Sequence, residues 1–178
     1  MIVGRDSQRQ KLYHAETIAL GGGISEYKRI QECQALVDMI CKSRFWKSLL
    51  RRNGKNWLIE ERIHCAPVKK GAHTASWNES DRYIHLPKTS FTQWVIIHEL
   101  AHAATASEAA FHGPEFTRTY LQLVKRFMGQ RPYERLLTEF RRTKVRRSRR
   151  TTKKSHFVKG SVEAKEYMAA LRAARKGS

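Results

Sequence analysis

The chain has 178 residues, 40% of them hydrophobic, and a formal net charge of +19. That is enough for one compact domain with an appendage, and a charge of this size points to an anionic partner. The absence of any apolar run of about 18 residues excludes a membrane-spanning helix, and three cysteines with no C-x-x-C pair (Cys33, Cys41, Cys65) exclude a disulfide framework.

The opening "MIVGRDSQRQK" lacks the apolar stretch of a signal sequence, so the expectation is a cytoplasmic protein with reduced thiols. Residues 5–20 predict a first helix capped by Asp6 or Ser7 and broken at Gly21 to Gly23. Ser25 is the expected cap of a second helix, in which Ile30, Cys33, Leu36, Val37 and Ile40 recur at helical spacing. The Asn53-Gly54 pair marks a turn. Residues 56–65, 72–78 and 82–87 predict three short strands, the last two joined by the polar turn "NESD". Ser90 is read as the opening of a strongly apolar helix over 91–106. Gly113-Pro114 starts another, with proline at its first position, Gly129 stops it, and "PYERLLTEFRR" gives the last core helix.

The composition then shifts. Residues 141–178 carry 14 Lys and Arg against two acids, whereas residues 1–140 carry 21 against 14. The expected division is therefore a folded domain over 1–140 and a basic arm with a short C-terminal helix over 141–178. Within 141–154 nine cations meet no acid: Arg141, Arg142, Lys144, Arg146, Arg147, Arg149, Arg150, Lys153 and Lys154. Such a run suits phosphate contacts, which are largely indifferent to base sequence, so DNA is the expected nucleic-acid partner. A second basic stretch, residues 41–57, interleaves Phe45, Trp46 and Trp57 with six cations. Its aromatic faces could stack bases, or could equally pack inward from an amphipathic helix.

The chemistry concentrates in "HELAHAATASEAAFHGPEF", residues 98–116. His98, Glu99 and His102 form H-E-x-x-H inside a predicted helix. Positions i and i+4 lie about 40° apart and about 6 Å along the axis, so both imidazoles can face one ion. Glu99 stands beside them, placed to take a proton from activated water. Polar groups of this kind are costly to bury in an apolar helix without partners. A catalytic zinc takes three protein ligands and keeps one open position. His112 is the favoured third ligand, since a loop of five residues can return it to the ion; Glu108 and Glu115 are rivals. Glu115 would otherwise suit the first turn of the following helix or a supporting contact. Of the strand 82–87, Tyr83 and His85 alternate to one face. Tyr83, His85 and Tyr120 are candidates to stabilise an oxyanion, against the plainer reading of ordinary strand and helix residues.

"HELAH" followed by "HGPEF" resembles the SprT-like zinc metallopeptidases, the group that includes the Spartan DNA–protein crosslink proteases. The N-terminal "RDSQRQKLYHAE" is similar to the opening of a metallohydrolase family of actinobacteria and actinophages that shares the same core. The resemblance spans roughly residues 5–140. It implies an α+β, zincin-like minimal metallopeptidase core with a small three-stranded sheet. It also implies one Zn2+ per chain on His98, His102 and His112, with Glu99 as general base, and a substrate strand laid along a sheet edge, for which 82–87 is the candidate. No Cys-rich zinc ribbon follows the core; the basic arm stands in its place. The expected function is a zinc metallopeptidase acting on DNA-associated proteins. The alternatives are a peptidase dedicated to one regulator, of the repressor-cleaving H-E-x-x-H type, and a nucleic-acid-binding protein with a structural metal, for which an intact Glu99 would be superfluous.

Overall fold

The computed structural model describes Asp6 and residues 8–21, 26–68, 73–106 and 111–147. Among them, six α-helices span Arg9–Leu20 (α1), Ile30–Lys42 (α2), Arg44–Arg52 (α3), Gln93–Ala104 (α4), Pro114–Phe127 (α5) and Gln130–Arg142 (α6). Three strands, His64–Pro67 (β1), Ser76–Asn78 (β2) and Tyr83–Leu86 (β3), form one sheet. The architecture is α+β, in keeping with the sequence. The expected caps at Ser7 and Ser25, the rival ligand Glu108, the cations Arg149, Arg150, Lys153 and Lys154, and the short C-terminal helix lie outside the described residues.

Helix starts differ from the reading by residue type. The residue flanking α1 is Gln8, whose side chain makes no cap; Asp6 does not cap the helix either and is bonded to His112 instead. At α2 the first turn is closed from within: the Glu32 carboxylate accepts from the backbone N–H of Lys28 at 2.8 Å, the contact a carboxylate in the first turn favours. α4 begins later than expected. Ser90 belongs to a short 3-10 turn, and Thr92 is the cap, its hydroxyl accepting from Val95 N–H at 3.4 Å.

The strand expected over 56–65 forms only at its end. Leu58 and Ile63 are buried, but Glu60, Glu61 and Arg62 between them reach outward to Lys47, Arg82 and Asp38. Three consecutive charges that seek surface partners break the alternation a strand needs, and Asn56–Leu58 coils into a 3-10 turn. The strand order is β1-β3-β2, with β1 parallel and β2 antiparallel to β3. The strand read as the edge is therefore central, and β2 is the edge beside α4. On β3, Ile84 and Leu86 are fully buried, while Tyr83 and His85 alternate to the opposite, half-exposed face.

α4 is buried on nearly every side, from Val95 through Ala104, as a helix apolar all round must be. It packs on α5, β2 and α2. Asn53, in the turn whose Gly54 adopts φ +72°, donates from its amide to the last carbonyl of α4, Ala104 O, at 2.7 Å. Gly129, at φ +99°, reverses the chain between α5 and α6, a backbone conformation that favours glycine. α1 lies along α6, burying Leu12, Ala15 and Ala19 in the same core as Leu136 and Phe140. The three cysteines are free thiols; burial pushes Cys33 up to about 11 and Cys41 and Cys65 up to about 12, which keeps them protonated and unreactive.

Because Leu12 is fully buried between α1 and its neighbours, Leu12→Ala should cost about 2–5 kcal/mol of unfolding free energy. Urea titration followed by circular dichroism measures it; a loss below about 1 kcal/mol would mean that α1 is not part of the cooperative core.

Candidate metal centre

The i, i+4 spacing places His98 and His102 on one face of α4, and His112 enters from the turn ahead of Pro114, the first residue of α5. Their Nε2 atoms converge: His102 lies 3.2 Å and His112 3.3 Å from His98. The ligand atoms of all three lie within 4.8 Å of one another, with His98 and His112 buried and His102 half-buried. Tetrahedral Zn–N bonds of about 2.0–2.1 Å would separate ligand nitrogens by about 3.3–3.4 Å, so the spacing suits a metal ion. Among the described residues no carboxylate joins this cluster; Glu115 sits in the first turn of α5.

The far sides of two imidazoles are held by carboxylates. Glu16 on α1 bonds His98 Nδ1 at 2.6 Å, and Asp6 bonds His112 Nδ1 at 2.5 Å. Each Nδ1–H donates outward, so each Nε2 turns a lone pair inward. Lone pairs a little over 3 Å apart repel, and a cation among them reconciles the arrangement. Burial pushes His98 down, but the Glu16 charge and hydrogen bond outweigh it and the net shift is upward. Burial, followed by the neighbouring His98 and His112, pushes His102 down to about 2. His112 is also lowered, chiefly by burial. Phe116, one turn after His112, packs against all three rings at centroid distances of 5.0, 4.3 and 5.0 Å and keeps water from their flank.

Glu99 lies beside the cluster in a cleft of about 460 Å³ that Asp6, Arg9, Tyr13, Trp77, His102 and His112 also line. Burial raises its pKa; the nearby His98 and a hydrogen bond from the Trp77 backbone N–H oppose the shift. That N–H belongs to the edge strand β2 and so is free to turn toward α4. A carboxyl held in this way binds a proton more readily than an exposed one.

The structure brings together four of the residues singled out from the sequence, His98, Glu99, His102 and His112. It keeps others apart. Tyr83 stacks between His64 at 5.1 Å and His85 at 5.9 Å on the other face of the sheet, and neither Tyr83 nor His85 lines the cleft. Tyr120 is fully buried behind His98, 5.5 Å between ring centres. Its hydroxyl faces the Glu16 carboxylate, with which it interacts.

Asp6, Arg9, Tyr13 and Glu16 were not read as site residues, although one signal was present. Glu16 stands in the stripe Leu12, Ala15, Ala19, and a carboxylate on the buried face of an amphipathic helix needs a partner. Gln8 is bound just as closely: its amide donates to His112 O, and its Oε1 accepts from Arg146 N–H at 2.9 Å.

Of the basic residues, Arg141, Arg142, Lys144, Arg146 and Arg147 are exposed, with Arg142 paired to Glu139 at 2.7 Å. Val145 is buried in the core. In the second basic stretch Trp46 is buried and Phe45 packs against Phe127, so these two rings turn inward; only Trp57 is exposed, with Lys55 Nζ 5.5 Å from its ring. No helix among the described residues is long and apolar enough to cross a membrane. No protein-family model, curated protein or solved structure matches the chain.

Carboxylates behind metal-binding histidines typically tune affinity, so Asp6→Ala and Glu16→Gln should each weaken metal binding roughly 10- to 100-fold. Competition with a chromophoric chelator measures this; unchanged affinity in both variants would show that the carboxylates only buttress the fold.

Proposed function

We propose that the protein is a zinc-dependent metallopeptidase of the SprT-like kind, acting on proteins associated with nucleic acid. The observation that carries this reading is the convergence of His102 and His112 Nε2 on that of His98, at 3.2 and 3.3 Å, with Glu99 beside them in an open cleft. A helix bearing H-E-x-x-H beside a small mixed sheet is also what a zincin-like core would present. Zinc held by His98, His102 and His112 would supply a Lewis acid that makes water a competent nucleophile at neutral pH.

The remaining work falls to the chain. Asp6 and Glu16 orient two imidazoles. Glu99 accepts the proton of the attacking water and passes it to the leaving amine, so its raised pKa serves both steps. Among the described residues β2 is the edge of the sheet on the cleft side, where an extended peptide can pair beside the Trp77 N–H that Glu99 holds. This is the role the sequence reading gave to 82–87. A purely structural metal would leave the buried Glu99 without a purpose beside the cleft, which favours catalysis. The cations beyond the core supply location on nucleic acid through phosphate contacts.

His98→Ala, His102→Ala and His112→Ala should each lose most of the bound zinc, whereas Glu99→Gln should retain it and abolish cleavage of unfolded casein. Metal analysis and a gel assay on the same preparations provide the test. Full zinc retention without His112, or cleavage without Glu99, would refute the assignment.

A truncation testing nucleic-acid binding must end after Arg147, because Val145 is in the core and Arg146 is bonded to Gln8. It removes nine of the 35 Lys and Arg residues. If about five of them contact duplex phosphates, the slope of log affinity against log salt should become shallower by about four. Equal affinity and slope in both proteins would remove the arm from the function.

A further inference from the structure

Hydrolysis of a peptide needs a donor for the oxygen that gains charge as the planar carbonyl becomes tetrahedral. The three residues first considered for this are badly placed. Tyr83 and His85 stand on the far face of the sheet, and Tyr120 is sealed behind His98. Tyr13, on α1, is in the right place. Its ring lies 5.6 Å from that of His98 and 5.3 Å from that of His112, yet 38% of the residue remains exposed. It borders the cleft that holds Glu99 and His102. It also borders a neighbouring cavity of about 250 Å³, walled by Thr17, Ala75, Trp94 and Val95, which Glu99 shares. A peptide following β2 from one space to the other would pass the phenol. Arg9, one helical turn earlier, sets its guanidinium 5.4 Å from the Tyr13 ring centre and beside the hydroxyl. Among the described residues Arg9 has no ion-pair partner, so its positive charge is available to the cleft.

We propose that Tyr13 is a catalytic residue, donating a hydrogen bond to the developing oxyanion of the scissile carbonyl, and that Arg9 positions and polarises its phenol. The proposal rests on the peptidase reading. In the step it serves, the water oxygen bonds to the carbonyl carbon while the C=O π pair moves onto the oxygen facing Tyr13. The water proton goes to Glu99. The C–N bond then breaks and Glu99 returns the proton to the amine nitrogen. Tyr13 keeps its own proton throughout and lends it only as a hydrogen bond.

The test compares zinc-loaded wild type, Tyr13→Phe and Arg9→Met, the full chain in each case. Phenylalanine preserves the ring packing on His98 and His112, so zinc content and thermal stability should match wild type. With labelled casein, Tyr13→Phe should lower kcat roughly 100-fold and leave KM unchanged. Calorimetry with a blocked phosphinic Ala-Ala analogue, whose tetrahedral anion mimics the charged oxygen, should show a loss of affinity of similar size for Tyr13→Phe and a smaller one for Arg9→Met. A Tyr13→Phe protein with wild-type kcat and wild-type phosphinate affinity would overturn the proposal, as would one that loses its zinc, since the ring would then only shield the ligands. If the zinc-loaded wild type neither cleaves casein nor binds the phosphinate, the peptidase reading falls and this proposal falls with it. If the wild type binds the phosphinate without cleaving casein, and Tyr13→Phe weakens that binding, Tyr13 keeps its role and the natural substrate is more selective than casein.

Discussion

The pairing of imidazole with carboxylate across the interior is the interaction on which the rest of the molecule depends. Glu16 to His98 and Asp6 to His112 fix which nitrogen of each ring faces inward. Glu16 also ties α1 to α4 across the interior. Each bond costs the desolvation of a charge. That cost is offset where the imidazole's other nitrogen is also satisfied, so carboxylate and ring form one unit whose inward nitrogens are close enough together to hold a metal ion. The elements around it hold that unit in place: α4 presents two rings, Pro114 directs the third, and Phe116 closes the side.

The parts of this arrangement written locally were legible in the sequence. H-E-x-x-H on an apolar helix, Gly113-Pro114 as a helix start and Gly129 as a stop are each decided within a few residues, and each appears where expected. What the sequence concealed was written over long separations. Asp6 looks like a helix cap, because an acid before a helical run ordinarily serves its own backbone; its actual partner is 106 residues away. The order of three short strands cannot be read from their spacing, and the strand expected at the edge lies at the centre of the sheet. The charged run Glu60 to Arg62 looked compatible with a strand, but three surface ion pairs decided otherwise. Tyr13 gave no sign of its own, since an aromatic on an amphipathic helix is ordinarily core.

Charge and site divide the chain differently from composition. The excess of Lys and Arg begins near residue 141, but the fold does not end there: Val145 is packed inside and the backbone at Arg146 is bonded to Gln8. The first cations of the arm are thus held against the same helix that supports the histidines, and an anion gripped there would lie close to the cleft. Of the aromatic rings among the earlier cations, Trp46 and Phe45 have turned to packing, and Trp57 alone stays at the surface of that stretch.

Gln8 joins the backbone of His112 to the backbone of Arg146, 138 residues along the chain from itself. A consequence follows for the order in which the protein is made. During synthesis the H-E-x-x-H helix leaves the ribosome well before α6, the helix along which α1 makes its most extensive packing. Contacts of such long sequence separation close late. α1, which carries Glu16, gains its packing along the last core helix only after that helix has been made. A nascent chain therefore carries its three histidines in a framework that is completed only when almost the entire fold has formed.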